Sequence, residues 1–369
     1  MIPFLDLRML NSRFENEFAA ALQSVLASGW YIHGEECRAF EAEFAGYCGV
    51  AHAVGVGNGL DALVLILRAL LEAGRLQPGD EVLVPGNTFI ASVLAVSACG
   101  LKVRLVEPEL SSFNVDPRAV EAAIGTRTRV ILAVHLYGRL ADMEALAEIA
   151  KRHDLLLLED AAQAHGARLG PRRAGAWSLA AGFSMFPGKP LGALGDGGMV
   201  TTNDTELATI IRSLQSYGSP VKYQHDRKGC NSRLDELQAA FLRIKLRHLD
   251  ADNQARHEIA VRYSQNLDRR ILYLPELRSG DEVHAWHLYV VRSEYRNALQ
   301  QHLLKAGVQT LIHYPTPIHR QAAYSEMREL SLPVTEMLST QVLSLPIYPG
   351  LSVPQIDQVI NACNSFMAS

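Results

Sequence analysis

Apolar and polar positions along the chain fall into blocks with the lengths of secondary-structure elements. From residue 51 a regular alternation sets in. AHAVGV (51–56) predicts a strand and LDALVLILRALLEAG (60–74) a helix. EVLVP (81–85), KVRLVEP (102–108), VILAVHLY (130–137) and LLLLED (155–160) are further short apolar runs. Between them FIASVLAVSACG (89–100), DPRAVEAAI (116–124) and DMEALAEIAKRHD (142–154) have helical spacing. Strands that are continuously apolar and alternate with helices imply a mostly parallel sheet covered on both faces.

The pattern differs at the two ends. Residues 12–28 start with a capping-box pair, Ser12 and Glu15, and continue as a helix. After about residue 203 the chain turns more polar, and 231–267 predicts one long helix. A strand, AWHLYVVR (285–292), the stretch YRNALQQHLLKAGV (295–308) and a terminal helix, PQIDQVINACNSFM (354–367), then make a smaller α/β unit. The expected division is a large domain over 1–250, with an N-terminal helical segment, and a small C-terminal domain over 251–369.

Composition narrows the class. Of 369 residues 48% are apolar, and 35 Lys+Arg stand against 39 Asp+Glu, a net charge of −4. Disorder and a nucleic-acid surface both need a different balance. No run of about 18 apolar residues predicts a membrane span. Asp6 and Arg8 interrupt the stretch where a signal peptide would be apolar, so the expected location is the cytoplasm. The five cysteines form no CxxC pair and are expected to be reduced. His135, His165, His313 and His319 lack metal-ligand spacing, and no metal is expected.

Three features carry chemistry. Gly55-Val-Gly57-Asn58-Gly59 joins a strand to a helix, although Leu60 stands where a GxGxxG fingerprint needs its last glycine. Such a turn offers N–H groups and a helix dipole to an anion; a tight turn without a ligand would look the same. Lys189 is one of seven lysines. The other six (Lys102, Lys151, Lys222, Lys228, Lys245 and Lys305) lie on strand edges, helices or polar loops, whereas Lys189 sits in the apolar Gly- and Pro-rich stretch 182–200. Burial would lower its pKa and make it a nucleophile for carbonyls. Asp160 ends a buried strand, where open α/β sheets bind ligands, though an acid there could simply cap a helix. Pyridoxal phosphate needs all three parts together: a lysine, an acid for its ring nitrogen, and donors for its phosphate. Ser184, in Gly182-Phe-Ser184-Met-Phe186, lacks the second glycine of a nucleophile elbow.

With these residues in place, the chain resembles the DegT/StrS family of sugar-nucleotide aminotransferases, from PFLDL at residue 3 through NSRLDELQAA to HYPTPIH. The resemblance implies the type I aminotransferase fold, with a large domain that binds pyridoxal 5'-phosphate and a smaller C-terminal α/β domain. By it Lys189 carries the cofactor and moves the proton, while Asp160 pairs with the pyridine nitrogen. Gln163 meets the ring hydroxyl and Phe89 stacks on the ring. Gly59, the Leu60 backbone and Ser184 hold the phosphate, and Asn231 reaches the phosphate of the neighbouring subunit in a homodimer with shared sites. Two positions depart from the family: many members have Ser-Gly-Thr where this chain has Asn58-Gly59-Leu60, and Asn where Pro190 follows the lysine.

GNGLDAL, EDAAQAHGA, NSRLDELQAA and IHYPTPIH are together similar to transaminases that aminate a dTDP-linked 3-keto-6-deoxyhexose. That likeness implies L-glutamate as donor and sugar contacts from His165, His313, Tyr314 and Tyr31. The competing readings are a 4-keto sugar aminotransferase, a cofactor-dependent sugar dehydratase, and a non-catalytic regulatory binder. The dehydratases of this kind replace the lysine with His, which Lys189 disfavours.

Overall fold

The computed structural model describes residues 1–221, 223–277 and 280–367. Its first five strands follow the apolar runs closely: β1 (His52–Val56), β2 (Glu81–Pro85), β3 (Lys102–Val106), β4 (Thr128–Val134) and β5 (Leu156–Asp160). Two short strands, β6 (Arg168–Leu169) and β7 (Arg172–Arg173), precede β8 (Ala180–Ser184) and β9 (Gly198–Thr202). β10 (Glu282–Val283) joins β6 and β7, and β11 (Tyr289–Arg292) pairs with β12 (Val342–Leu345).

The large sheet runs β1-β9-β8-β5-β4-β2-β3. β5 is parallel to both β4 and β8, whereas β9 is antiparallel to β8 and β1. Helix Gly59–Glu72 buries Leu63, Leu65, Ile66 and Leu70 on one face of the sheet. On the other face Met143, Leu146 and Ile149 pack with Leu83, Ile131 and Leu157. Both faces are therefore covered, the condition under which strands can be apolar throughout. Among the described residues no helix is long and apolar enough to cross a membrane.

Four expectations need correction. The stretch 182–200, expected as a loop, contains the end of β8 and the start of β9, which its glycines and prolines conceal. Residues 231–267 form two helices, Glu236–Leu246 and Leu249–Asn266, with a turn at Arg247–His248 between them. The two serve different cores: Ala239 and Leu242 pack in one hydrophobic cluster, with Phe40, Phe44 and Phe183, and Ile259 and Tyr263 in another, with Trp286 and Tyr289. Ser12 caps nothing, because it closes a short helix, Leu7–Ser12, and donates to Met9 O at 2.9 Å. Within 285–292 only Tyr289–Arg292 is strand. Before it, Ala285 and Leu288 donate to the carbonyls of Gly138 and Tyr137, at 2.8 and 3.2 Å. The N-terminus joins that second cluster, since Ile2 bridges to Val308 and packs with Tyr263 and Tyr289.

The end of β5 shows how the sheet positions chemistry. Side chains alternate between faces of a strand, so adjacent acids part company. Glu159 points into the core and is fully buried. It accepts from Gly175 N at 2.7 Å, Trp177 N at 2.9 Å and Ser178 Oγ at 2.9 Å, and meets His135 Nε2 at 2.8 Å. Burial pushes its carboxyl up, but His135 and the N–H and O–H donors outweigh that and hold it below the usual range. Replacing Glu159 with Ala strands four partners. Breaking such a buried pair costs about 3–5 kcal/mol, so Glu159→Ala is expected to lower the denaturant midpoint markedly. An unchanged midpoint would show that the pair anchors nothing.

Candidate active site

The C-terminal ends of β2, β5 and β8 open onto one cleft of about 410 Å³, a size suited to a cofactor and small substrate. Asn58, Gly59, Phe89, Asp160, Gln163, Ser184, Lys189, His313 and Tyr314 all line it. The sequence places these residues far apart; the parallel topology gathers them at the edge where such sheets bind ligands.

Asp160 is almost fully buried and held at both oxygens. Oδ1 accepts from Ala162 N at 3.2 Å and Oδ2 from Ser92 Oγ at 2.7 Å. An ionised carboxylate only accepts, so the single Ser92 proton is committed to it. The 2.9 Å contact between Thr88 and Ser92 hydroxyls must then be donated by Thr88. This relay aims two hydroxyl dipoles at the negative charge. Ser92 was not foreseen, although it stands one helical turn after Phe89, on the same face of helix Ile90–Ala98.

Lys189 lies half-buried in the turn after β8, where its N–H donates to Phe186 O at 2.9 Å. Burial lowers its pKa to about 8, with the Asp160 carboxylate opposing the shift. A lysine so placed is partly deprotonated near neutrality and can act as nucleophile and base.

A second chain of donors fixes the opposite wall. Gln163 Oε1 accepts from Tyr137 N at 2.6 Å, which sets the amide's orientation, so Nε2 donates to Tyr314 Oη at 3.1 Å. Tyr314 keeps its own proton for the cleft, and burial pushes its phenol up so that the proton stays. The Phe89 ring stands 5.4 Å from that of Tyr314. His313 Nδ1 meets Ser344 Oγ at 2.8 Å, and burial and Lys189 lower its pKa to about 4, leaving it neutral at pH 7.

An anion site closes the other end. Asn58 caps helix Gly59–Glu72 by accepting from Asp61 N at 2.9 Å. A Cβ on Gly59 would stand 2.5 Å from Ser184 Cβ, so only glycine lets the helix N-terminus approach Ser184 this closely. Backbone N–H groups and the helix dipole there favour a phosphate. A half-buried amine, a strand-end carboxylate and this cradle, all on one cleft, fit pyridoxal phosphate.

Three expected residues lie elsewhere. His165 is fully buried against Phe183, with ring centroids 5.3 Å apart, and neither ring nitrogen has a hydrogen-bond partner among the described residues. Burial first, then Lys189 and Arg256, lower its pKa to about 3. It does not line the cleft. Tyr31 and Asn231 are exposed and also outside the lining. Asn231 nevertheless adjoins Ser232, whose Oγ accepts from Gly57 N at 3.0 Å and donates to Asp61 Oδ2 at 2.6 Å, beside the cradle.

The lysine's state is open to measurement. Acylation of Lys189 in cofactor-free protein, followed peptide by peptide, is expected to rise through an inflection near pH 8. Asp160→Asn removes the charge that favours the ammonium and should move the inflection lower. An inflection near the ordinary lysine value of about 10.4 would contradict the burial argument.

The sequence profile of the DegT/DnrJ/EryC1/StrS aminotransferase family matches residues 12–364. The chain is 51% identical to a dTDP-3-amino-3,6-dideoxy-alpha-D-galactopyranose transaminase of Aneurinibacillus thermoaerophilus, over 99% of each chain. It is 54% identical to the erythromycin biosynthesis sensory transduction protein EryC1 of Saccharopolyspora erythraea, over 97% of this chain and 98% of the relative. Its fold matches S. venezuelae DesV, solved in complex with a ketimine intermediate, with TM-score 0.95 and 51% identity, covering 98% of this chain and 97% of that one. Matched nearly end to end in sequence and fold, this chain belongs to the DegT/DnrJ/EryC1/StrS aminotransferase family.

Proposed function

We propose that the protein uses pyridoxal 5'-phosphate to move an amino group from L-glutamate to C3 of a dTDP-linked 3-keto-6-deoxyhexose. The observation that carries this reading is the half-buried Lys189, its pKa brought near 8, on the same cleft as Asp160 and the Gly59–Ser184 cradle. The transaminase relative, named for a 3-amino sugar, supports C3 over C4.

The cofactor, when bound, supplies an electron sink for the carbon that loses its proton. The chain supplies the rest. Asp160, oriented by Ser92 and Ala162, would hold a proton on the pyridine nitrogen. Gln163 Nε2 has a second hydrogen beyond the one given to Tyr314 and would donate it to the ring hydroxyl. Phe89 would stack on the ring, while the Gly59 and Leu60 N–H groups and Ser184 Oγ would hold the phosphate. Lys189 Nζ would take the proton from the donor's α-carbon and deliver it to the carbon of the cofactor's aldehyde group. A base with pKa near the working pH is matched to both directions of that transfer.

Tyr314, with its uncommitted proton, and neutral His313 would face the sugar; Tyr31, outside the lining of one chain, would enter only through an assembled pair. We place Asn231 in the second site of a homodimer, because it is exposed and lies just outside its own cradle. His165, sealed behind the wall, has no direct sugar contact in this scheme. A purely regulatory role, which the name of the Saccharopolyspora relative raises, would leave the depressed lysine and the held carboxylate without a task.

The direct test offers purified protein and glutamate the 3-keto and the 4-keto dTDP sugars and follows 2-oxoglutarate. Faster amination of the 3-keto compound is expected, and a preference for the 4-keto compound would overturn the substrate assignment. Lys189→Ala should cut turnover by at least about 10²–10⁴-fold, the span of general acid–base contributions. Retained turnover would overturn the mechanism. Loss of one hydrogen bond to a charged group costs about 1.5–3 kcal/mol, so Asn231→Ala should weaken cofactor retention by about 10- to 100-fold. An active monomer in sedimentation would contradict the shared site.

A further inference from the structure

Lys189 also borders a second, much smaller cavity of about 40 Å³. Its walls come from the N-terminal segment (Leu5, Leu10, Asn11, Arg13), the Gly188–Pro190 turn, and Lys245, Asp252, Arg256 and His287. A space of this size has room for water or a small ion.

Charge decides between those guests. Asp252 is the acid on this wall, and both its oxygens are taken by Arg13 Nη1 and Nη2, each at 2.8 Å. Three cations of the wall, Arg13, Lys245 and Arg256, thus share one carboxylate, before Lys189 is counted. Lys245 Nζ donates to Asn11 Oδ1 at 3.2 Å and to Gly192 O, both neutral acceptors. Arg256 is only 6% exposed. Among the described residues its guanidinium makes one hydrogen bond, Nη1 to Asn253 Oδ1 at 3.1 Å. Asn253 is itself held by His165 O at 2.9 Å and cannot turn to offer more. Buried charges are normally paired, since an uncompensated one costs several kcal/mol. The strain is visible in the groups themselves: burial lowers the Arg256 pKa to about 10 and that of Lys245 to about 8. Leu5, Leu10, Leu288 and Ile347 complete the wall with apolar surface. That setting favours a weakly hydrated ion over fluoride or hydroxide.

We propose that this cavity is a halide site, in which one chloride-sized anion is held between the Arg256 guanidinium and the Lys245 ammonium. The ion adds negative charge where the Asp252 carboxylate alone faces the cations of the wall, and it ties the N-terminal segment to the Lys189 turn. It also adds negative charge beside Lys189, so its presence favours the protonated amine. The proposal stands apart from the aminotransferase reading, since neither the guest nor its ligands take part in amino transfer.

The test uses the intact protein crystallised in sodium bromide, with anomalous diffraction at the bromine edge. The expected result is a single bromide peak touching Arg256 and Lys245. Ordered water alone at that point would overturn the proposal. In solution, chloride is expected to raise the melting temperature above that in gluconate at equal ionic strength, gluconate being too large to enter. Chloride should also move the Lys189 acylation inflection to higher pH. Arg256→Met and Lys245→Met should each erase the chloride dependence; should neither fold, the bromide experiment on the unaltered protein decides alone. A chloride effect without the peak would be a general salt effect and would count against the site.

Discussion

Side chains at the end of β5 alternate between the two faces of the sheet, and the rest of the site depends on that alternation. Glu159 turns into the core, where His135 and three further donors hold it, and this fixes the strand end. Asp160 turns to the cleft, where Ser92 and Ala162 orient it and leave it acceptor capacity for a ligand. A register slip of one residue would exchange the two carboxylates and lose both functions. The parallel pairing of β5 with β4 and β8 prevents that slip and carries the cradle and the Lys189 turn to the same edge.

Burial then does chemical work on the cations. Lys189 and Lys245 both have pKa values lowered to about 8 by burial, yet their surroundings give them different tasks. Lys189 faces the cleft and one carboxylate, so its amine is available to a carbonyl. Lys245 is committed to Asn11 and to the Gly192 carbonyl, and so braces the loop that carries Lys189. The active turn is thereby held between two cavities, the cleft of about 410 Å³ and a much smaller one of about 40 Å³.

Much of this was legible in the sequence where chemistry and periodicity coincide. The apolar runs of β1, β2 and β5 and the unusual setting of Lys189 needed no structure. What stayed hidden follows from tertiary geometry. β8 and β9 lie in a segment whose Gly and Pro residues mask strand periodicity. The turn at Arg247–His248 interrupts an otherwise unbroken helical pattern, because the two halves face different cores. His165 reads as a ligand beside Gln163, yet after β5 the chain turns it inward onto Phe183. Ser92 and Thr88 are ordinary helix-start residues until Asp160 is seen beside them. Lys189 and Asp160 stood out in the sequence, and the structure places both on the cleft. The hydroxyl relay did not stand out, because serine and threonine serve many purposes.

The central claim is that Lys189 is the carbonyl-reactive amine of the cleft. Borohydride reduction of the protein as purified with its cofactor, followed by peptide mapping, tests it most directly. The account predicts loss of the yellow colour and covalent cofactor on the peptide that contains Lys189. Cofactor fixed to another lysine, or none fixed to a yellow protein, would contradict it.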